Sequence, residues 1–154
     1  MTWISGTERQ TLEIQAPLAA TYAFFSTPAL RGKALQDMKK QEVIDETTER
    51  WHLQTKKAKG VSLDPVYTIQ FSGNGRDSVK WDTIGEGTTR SKGTALLKPM
   101  GPERTRVEYK EDIESDIPIP KIMARVFRPI VAHEIRKGVR SFLKNAKSIL
   151  EAAH

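Results

Sequence analysis

At 154 residues and without a cysteine, the chain has room for one domain with a sizeable core, and no means of forming disulfides, thiolate metal sites or a cysteine nucleophile. No run approaches the roughly 18 apolar residues that a membrane span requires, and residues 1–6 hold neither a basic nor an apolar leader region, which together predict a cytoplasmic protein. The net charge of +6 is confined to one segment: residues 121–153 carry eight basic and two acidic residues, and the remainder is neutral.

In chain order, residues 6–15 alternate, with Gln10, Leu12 and Ile14 on one side, and predict a strand. Pro17 then stands where a first helical turn tolerates proline, and Leu18, Thr21, Tyr22 and Phe25 follow at helical spacing. Pro28 ends that helix near Thr27 and opens a second short turn over residues 29–35. Strands are predicted over 41–47, 49–57, 61–72, 78–84, 88–98 and 104–117, broken by turn residues. Asn74-Gly75 is the strongest hairpin signal. The last strand sets Val107, Tyr109, Ile113 and Ile117 on one face and charged residues on the other, with Glu111 the one acid on the apolar side.

Residues 121–153 read as one long amphipathic helix with apolar residues three and four apart. Pro129 predicts a kink or split near Arg128. Glu134 and Gly138 interrupt the apolar stripe. An acid and a missing side chain there suggest that the helix covers something other than solid protein. An antiparallel sheet with one apolar face must cover that face, and only this helix is large enough. The segment from Phe142 to Leu150 is expected to be solid core.

Candidate site residues follow from these faces. Glu111 and Glu134 are the carboxyls able to point inward, where burial is costly unless they are paired. Tyr67, Ile69, Trp81 and Tyr109 stand on the apolar faces of three strands, and Met123, Phe127 and Ile130 are their helix counterparts. Each has a plainer reading, as core or as a carboxyl at a solvated rim. Trp3 lies in a terminal segment without a pattern. His52, His133 and His154 are too scattered for a metal cage, and His133 is expected to be exposed. The glycine-rich turns at 73–75 and 85–87 are followed by no helix and are not phosphate loops. No metal, cofactor or catalytic constellation is predicted.

Ile14-Gln15-Ala16-Pro17, followed by Thr21-Tyr22-Ala23-Phe24-Phe25-Ser26, resembles the first strand and helix of the START-like (SRPBCC) superfamily, which includes polyketide cyclase/dehydrase and lipid-transport proteins. Gly93, Leu97-Lys98-Pro99 and Thr105-Arg106-Val107-Glu108-Tyr109 resemble its last hairpin, and the terminal helix completes the order. The resemblance spans nearly the whole chain. It implies a single α+β helix-grip domain over 1–154: a curved antiparallel sheet of about seven strands, two short helices after the first strand, and a long C-terminal helix gripped around a cavity for an apolar ligand. It does not imply an activity.

The first expectation is therefore a binder or carrier of a lipid or other hydrophobic small molecule. The second is a cyclase or aromatase-type enzyme using Glu111, Glu134 or a tyrosine. The third is a protein-interaction module of the chaperone-activator or ribosome-linked kind. The basic helix face reads as solvated surface, as a transient contact with anionic membrane, or as a contact with nucleic-acid phosphates. The last is not expected, because no aromatic interleaving or recognised motif accompanies the charge.

Overall fold

The computed structural model describes residues 2–154. Strand β1 (Thr2–Ile14) leads into two short helices, α1 (Leu18–Ser26) and α2 (Pro28–Gly32). Then come β2 (Met38–Asp45), β3 (Thr48–Leu53), β4 (Lys56–Ala58), β5 (Val61–Leu63), β6 (Val66–Gly73), β7 (Ser78–Ile84), β8 (Thr89–Pro99) and β9 (Thr105–Ile117). A 3-10 turn (Lys121–Met123) opens the terminal helix α3 (Ala124–Ala153). Seven strands form one antiparallel sheet in the order β1-β9-β8-β7-β6-β3-β2. This is the α+β helix-grip arrangement, with α3 laid across the apolar face.

The predicted strand over 61–72 is two strands. Asp64-Pro65 breaks it, because proline has no N–H for a ladder, and β5 instead pairs back on β4 as a small separate hairpin. Lys59 and Gly60 both take positive φ at its tip, as a two-residue hairpin turn of this hand requires. Trp3 belongs to β1, paired opposite Asp116, and its ring lies 4.0 Å from the Arg90 guanidinium carbon.

Helix α3 is not split at Pro129; it runs unbroken through it. The proline falls early in the helix on an exposed face beside Arg125, so the carbonyl it leaves without a donor is open to water. The helix lies close along β1. A Cβ on Gly6 would stand 3.0 Å from Ile135 and 3.2 Å from the Ala132 carbonyl, so glycine permits this approach.

Packing separates into two apolar clusters. The larger joins Ile14, Phe25, Phe71, Trp81, Val107, Tyr109 and the C-terminal half of α3 through Phe142, Leu143, Ala146 and Leu150. The smaller joins Ile4, Ile117, Ile119 and Phe127, with Val61 and Leu63 of the small hairpin and Val131 against it. Ile149, expected with the solid end of α3, faces partly outward at 36% exposure. Among the described residues no helix is long and apolar enough to cross a membrane.

Candidate functional site

Between the two clusters lies a cavity of about 440 Å³, walled by the inner face of the sheet, by α2 and by the first half of α3. Trp51, Tyr67 and Phe142 come from the large cluster, and Ile117, Phe127 and Val131 from the small one. Exposed Lys57, Glu134 and Lys137 mark its open side. Helix α3 fails to fill this space at Gly138, where an added Cβ would meet nothing within 4 Å.

Of the residues picked from the sequence, Tyr67, Glu111, Phe127, Ile130 and Glu134 stand on the cavity wall. Glu111 is buried at 7% exposure, whereas Glu134 is exposed at the rim, so the two carboxyls do not form an interior pair. Ile69, Trp81 and Tyr109 lie behind the wall, in the core. Trp81 is held there by its register partner Gly93, whose missing side chain the indole covers; a Cβ on that glycine would collide with the ring. Met123 stands outside the cavity at 39% exposure, since it belongs to the 3-10 turn and is off the helical stripe.

The polar inner end of the cavity is built around a residue that periodicity did not select. Arg31, on α2, is only 2% exposed and lines the cavity. Its guanidinium carbon lies 4.1 Å from the Trp81 ring centre, 4.7 Å from Phe71 and 4.9 Å from Phe142, with Phe25 and Tyr109 completing a cage of five rings. Such contacts favour a desolvated cation. The opposed charge is Glu111, reached through a phenol: Arg31 Nη2 donates to Tyr109 Oη at 2.7 Å, and Tyr109 Oη donates to Glu111 Oε1 at 2.6 Å. Ser91 Oγ donates to Glu111 Oε2 and accepts from Trp81 Nε1 at 3.2 Å. Arg31 Nη1 donates to the Phe25 carbonyl at 3.4 Å, and Arg31 Nε is buried without a partner.

Burial sets the protonation state of the two phenols. Burial pushes the Tyr109 phenol far above the usual tyrosine range; Arg31 opposes that rise and Glu111 adds to it. Burial likewise pushes Tyr67 well up, with Glu111 reinforcing and Arg31 opposing. Both phenols are therefore neutral hydrogen-bond donors at ordinary pH, not bases.

The signals for the missed residues were weak ones. Ser91 follows the period-2 alternation with Thr89, Ala95 and Leu97 on the buried side of β8. Arg31 stands three residues after buried Pro28, but a cation in a five-residue helix reads as surface. Among the described residues no three His, Asp or Glu side chains converge as metal ligands.

No protein-family model matches the chain, and no curated protein sequence matches it. Solved structures do. A protein from Thermus thermophilus superposes with a TM-score of 0.74 at 23% identity, covering 96% of this chain and 98% of that one. An aromatase/cyclase from a Streptomyces species gives 0.74 at 10% identity, covering 96% and 94%. A START superfamily protein from Mycobacterium smegmatis gives 0.71 at 14% identity, covering 96% and 99%. At these identities the likeness concerns the fold alone: the chain shares the helix-grip fold of these structures, an antiparallel sheet with paired short helices and a gripped terminal helix.

Proposed function

We propose that this protein binds a hydrophobic small molecule or lipid in the cavity between the sheet and α3. The observation that carries the reading is an unfilled, largely apolar space of about 440 Å³ with one polar cluster at its inner end. That is the usual make-up of a small-molecule site. Tyr67, Phe127 and Ile130 supply wall, Glu111 and Arg31 the polar end, and Glu134 the rim. Native mass spectrometry of the purified protein, with displacement of an apolar fluorescent probe, tests it. A co-purified small molecule or saturable probe binding is expected. Failure to bind any apolar probe would remove the reading.

A second reading is a cyclase-type enzyme, favoured by the aromatase/cyclase neighbour and by a carboxyl and a phenol on one wall. Glu111 argues against it. Each of its oxygens already accepts a hydrogen bond, and its charge opposes a buried guanidinium, so proton transfer would unsettle the network that holds Arg31. The interaction-module reading called for a filled interior and has less support.

The start of α3 suggests a partner. Ile122 is 86% exposed and Val126 59% exposed, beside the exposed Lys121, Arg125 and Arg128. No acid lies between Asp116 and Glu134. Phe127 and Ile130, from the same turns, line the cavity. We propose that this apolar and basic patch meets anionic lipid, letting a ligand pass between bilayer and cavity. Farther along the basic helix face, Arg140 is engaged with the buried Glu8 of β1.

A further inference from the structure

The buried polar side chains of the cavity wall are Arg31, Tyr67, Thr89, Glu111 and Ser115. Thr89 and Ser115 hydroxyls lie 3.3 Å apart and satisfy one another. Glu111 accepts from Tyr109 and Ser91, and Arg31 donates to Tyr109 and to the Phe25 carbonyl through its terminal nitrogens, with Nε left without a partner. Tyr67 is different. It is 5% exposed, and among the described residues its hydroxyl has no hydrogen-bond partner, although its ring is fixed edge-on against Trp51 at 5.8 Å. Tyr67 lines the cavity and its hydroxyl opens on that space rather than being sealed in protein, so it is free to donate to a bound molecule. A ligand that offers an acceptor at this point of the wall gains a hydrogen bond.

The charge of that acceptor follows from the neighbours. Arg31 is already opposed by Glu111 through Tyr109, so the inner end holds no spare positive charge. A carboxylate or phosphate brought to Tyr67 would face Glu111 without a counter-ion in a desolvated site. We propose that the ligand is a hydrophobic molecule bearing an uncharged carbonyl oxygen, of ketone, ester or amide type, which accepts the Tyr67 hydroxyl proton in a hydrogen bond. This rests on the ligand-binding reading above and names the class of ligand. Because burial holds the phenol protonated, the donor persists across ordinary pH.

The test uses two probes of nearly the same shape, 2-acetylnaphthalene and 2-ethylnaphthalene, with the wild type and Tyr67→Phe. Removing the hydroxyl is expected to weaken the ketone about five- to tenfold, the range of one hydrogen bond, and to leave the ethyl probe within about twofold. Because the hydroxyl has no protein partner, Tyr67→Phe is expected to keep the thermal midpoint of the ligand-free protein or raise it, whereas a structural hydroxyl would lower it. If both probes weaken equally, or neither changes, Tyr67 contributes only shape and the proposal is overturned while the ligand-binding reading stands. If neither probe binds the wild type, the proposal is overturned, and the ligand-binding reading is decided separately by the co-purified ligand and the wider set of apolar probes.

Discussion

Tyr109 shows how much a single residue settles here. Its ring packs with Phe25, Trp81 and Phe142, and its hydroxyl joins a buried cation to a buried acid. Breaking such an arrangement from one side leaves an uncompensated charge, which costs ~3 kcal/mol or more. Arg31→Met and Glu111→Gln should each lower the unfolding free energy by about that amount in urea denaturation. The double variant should lose clearly less than the two single losses added together; simple additivity would show that the two charges are not coupled. The tyrosines make a pH prediction. Tyr67 and Tyr109 have folded-state pKa values raised above the unfolded value of about 10. Their contribution is therefore complete below pH ~10 and is lost as pH rises beyond it. Phenolate absorbance from these two rings should appear together with the loss of near-ultraviolet circular dichroism. Their ionisation in a still-folded protein would contradict their burial.

At the scale of the element, α3 does two jobs along one length. Its C-terminal half closes the core through Phe142, Leu143, Ala146 and Leu150, while Phe127 to Gly138 roofs a cavity. Gly138 marks the difference, being a residue that weakens a helix by about 0.5–1 kcal/mol relative to alanine. Nothing in the packing requires it, since a Cβ would sit in open space. Gly138→Leu should therefore stabilise the protein by up to about 1 kcal/mol and weaken apolar probe binding at least tenfold by filling the cavity. Calorimetry and probe titration on the same sample check both. A variant that is more stable yet binds the probe unchanged would place the ligand elsewhere.

For the molecule as a whole, the +6 charge is concentrated on α3 and its approach, and its first turns combine that charge with exposed Ile122 and Val126. Each basic residue near an anionic surface contributes on the order of 1 kcal/mol. Reversing Lys121, Arg125 and Arg128 to Glu should abolish co-sedimentation with phosphatidylserine vesicles at low salt. Lys144→Glu, near the far end of α3, should have little effect. Wild-type binding should weaken as salt rises toward physiological strength, where screening acts over about 8 Å. If the wild type stays in the supernatant at low salt, the patch is solvated surface.

The sequence by itself determined what local period can determine. Alternation by two and by 3.6 set out the strands, the long helix and their buried faces, because a side chain's direction is tied to backbone geometry. It singled out Glu111 as the acid on an apolar face, and located the hairpin at Asn74, whose side chain accepts from the amides of Arg76, Asp77 and Ser78. Periodicity states which way a residue points and not how far the opposite wall lies. It therefore could not separate Tyr67, on the cavity wall, from Trp81 and Tyr109, sealed behind it. Nor could it foresee Arg31. A guanidinium on a five-residue helix has every local reason to face water. Only tertiary structure, by bringing Phe25, Phe71, Trp81, Tyr109 and Phe142 from five different elements around it and setting Glu111 beyond a shared phenol, makes burial the favourable place for that charge.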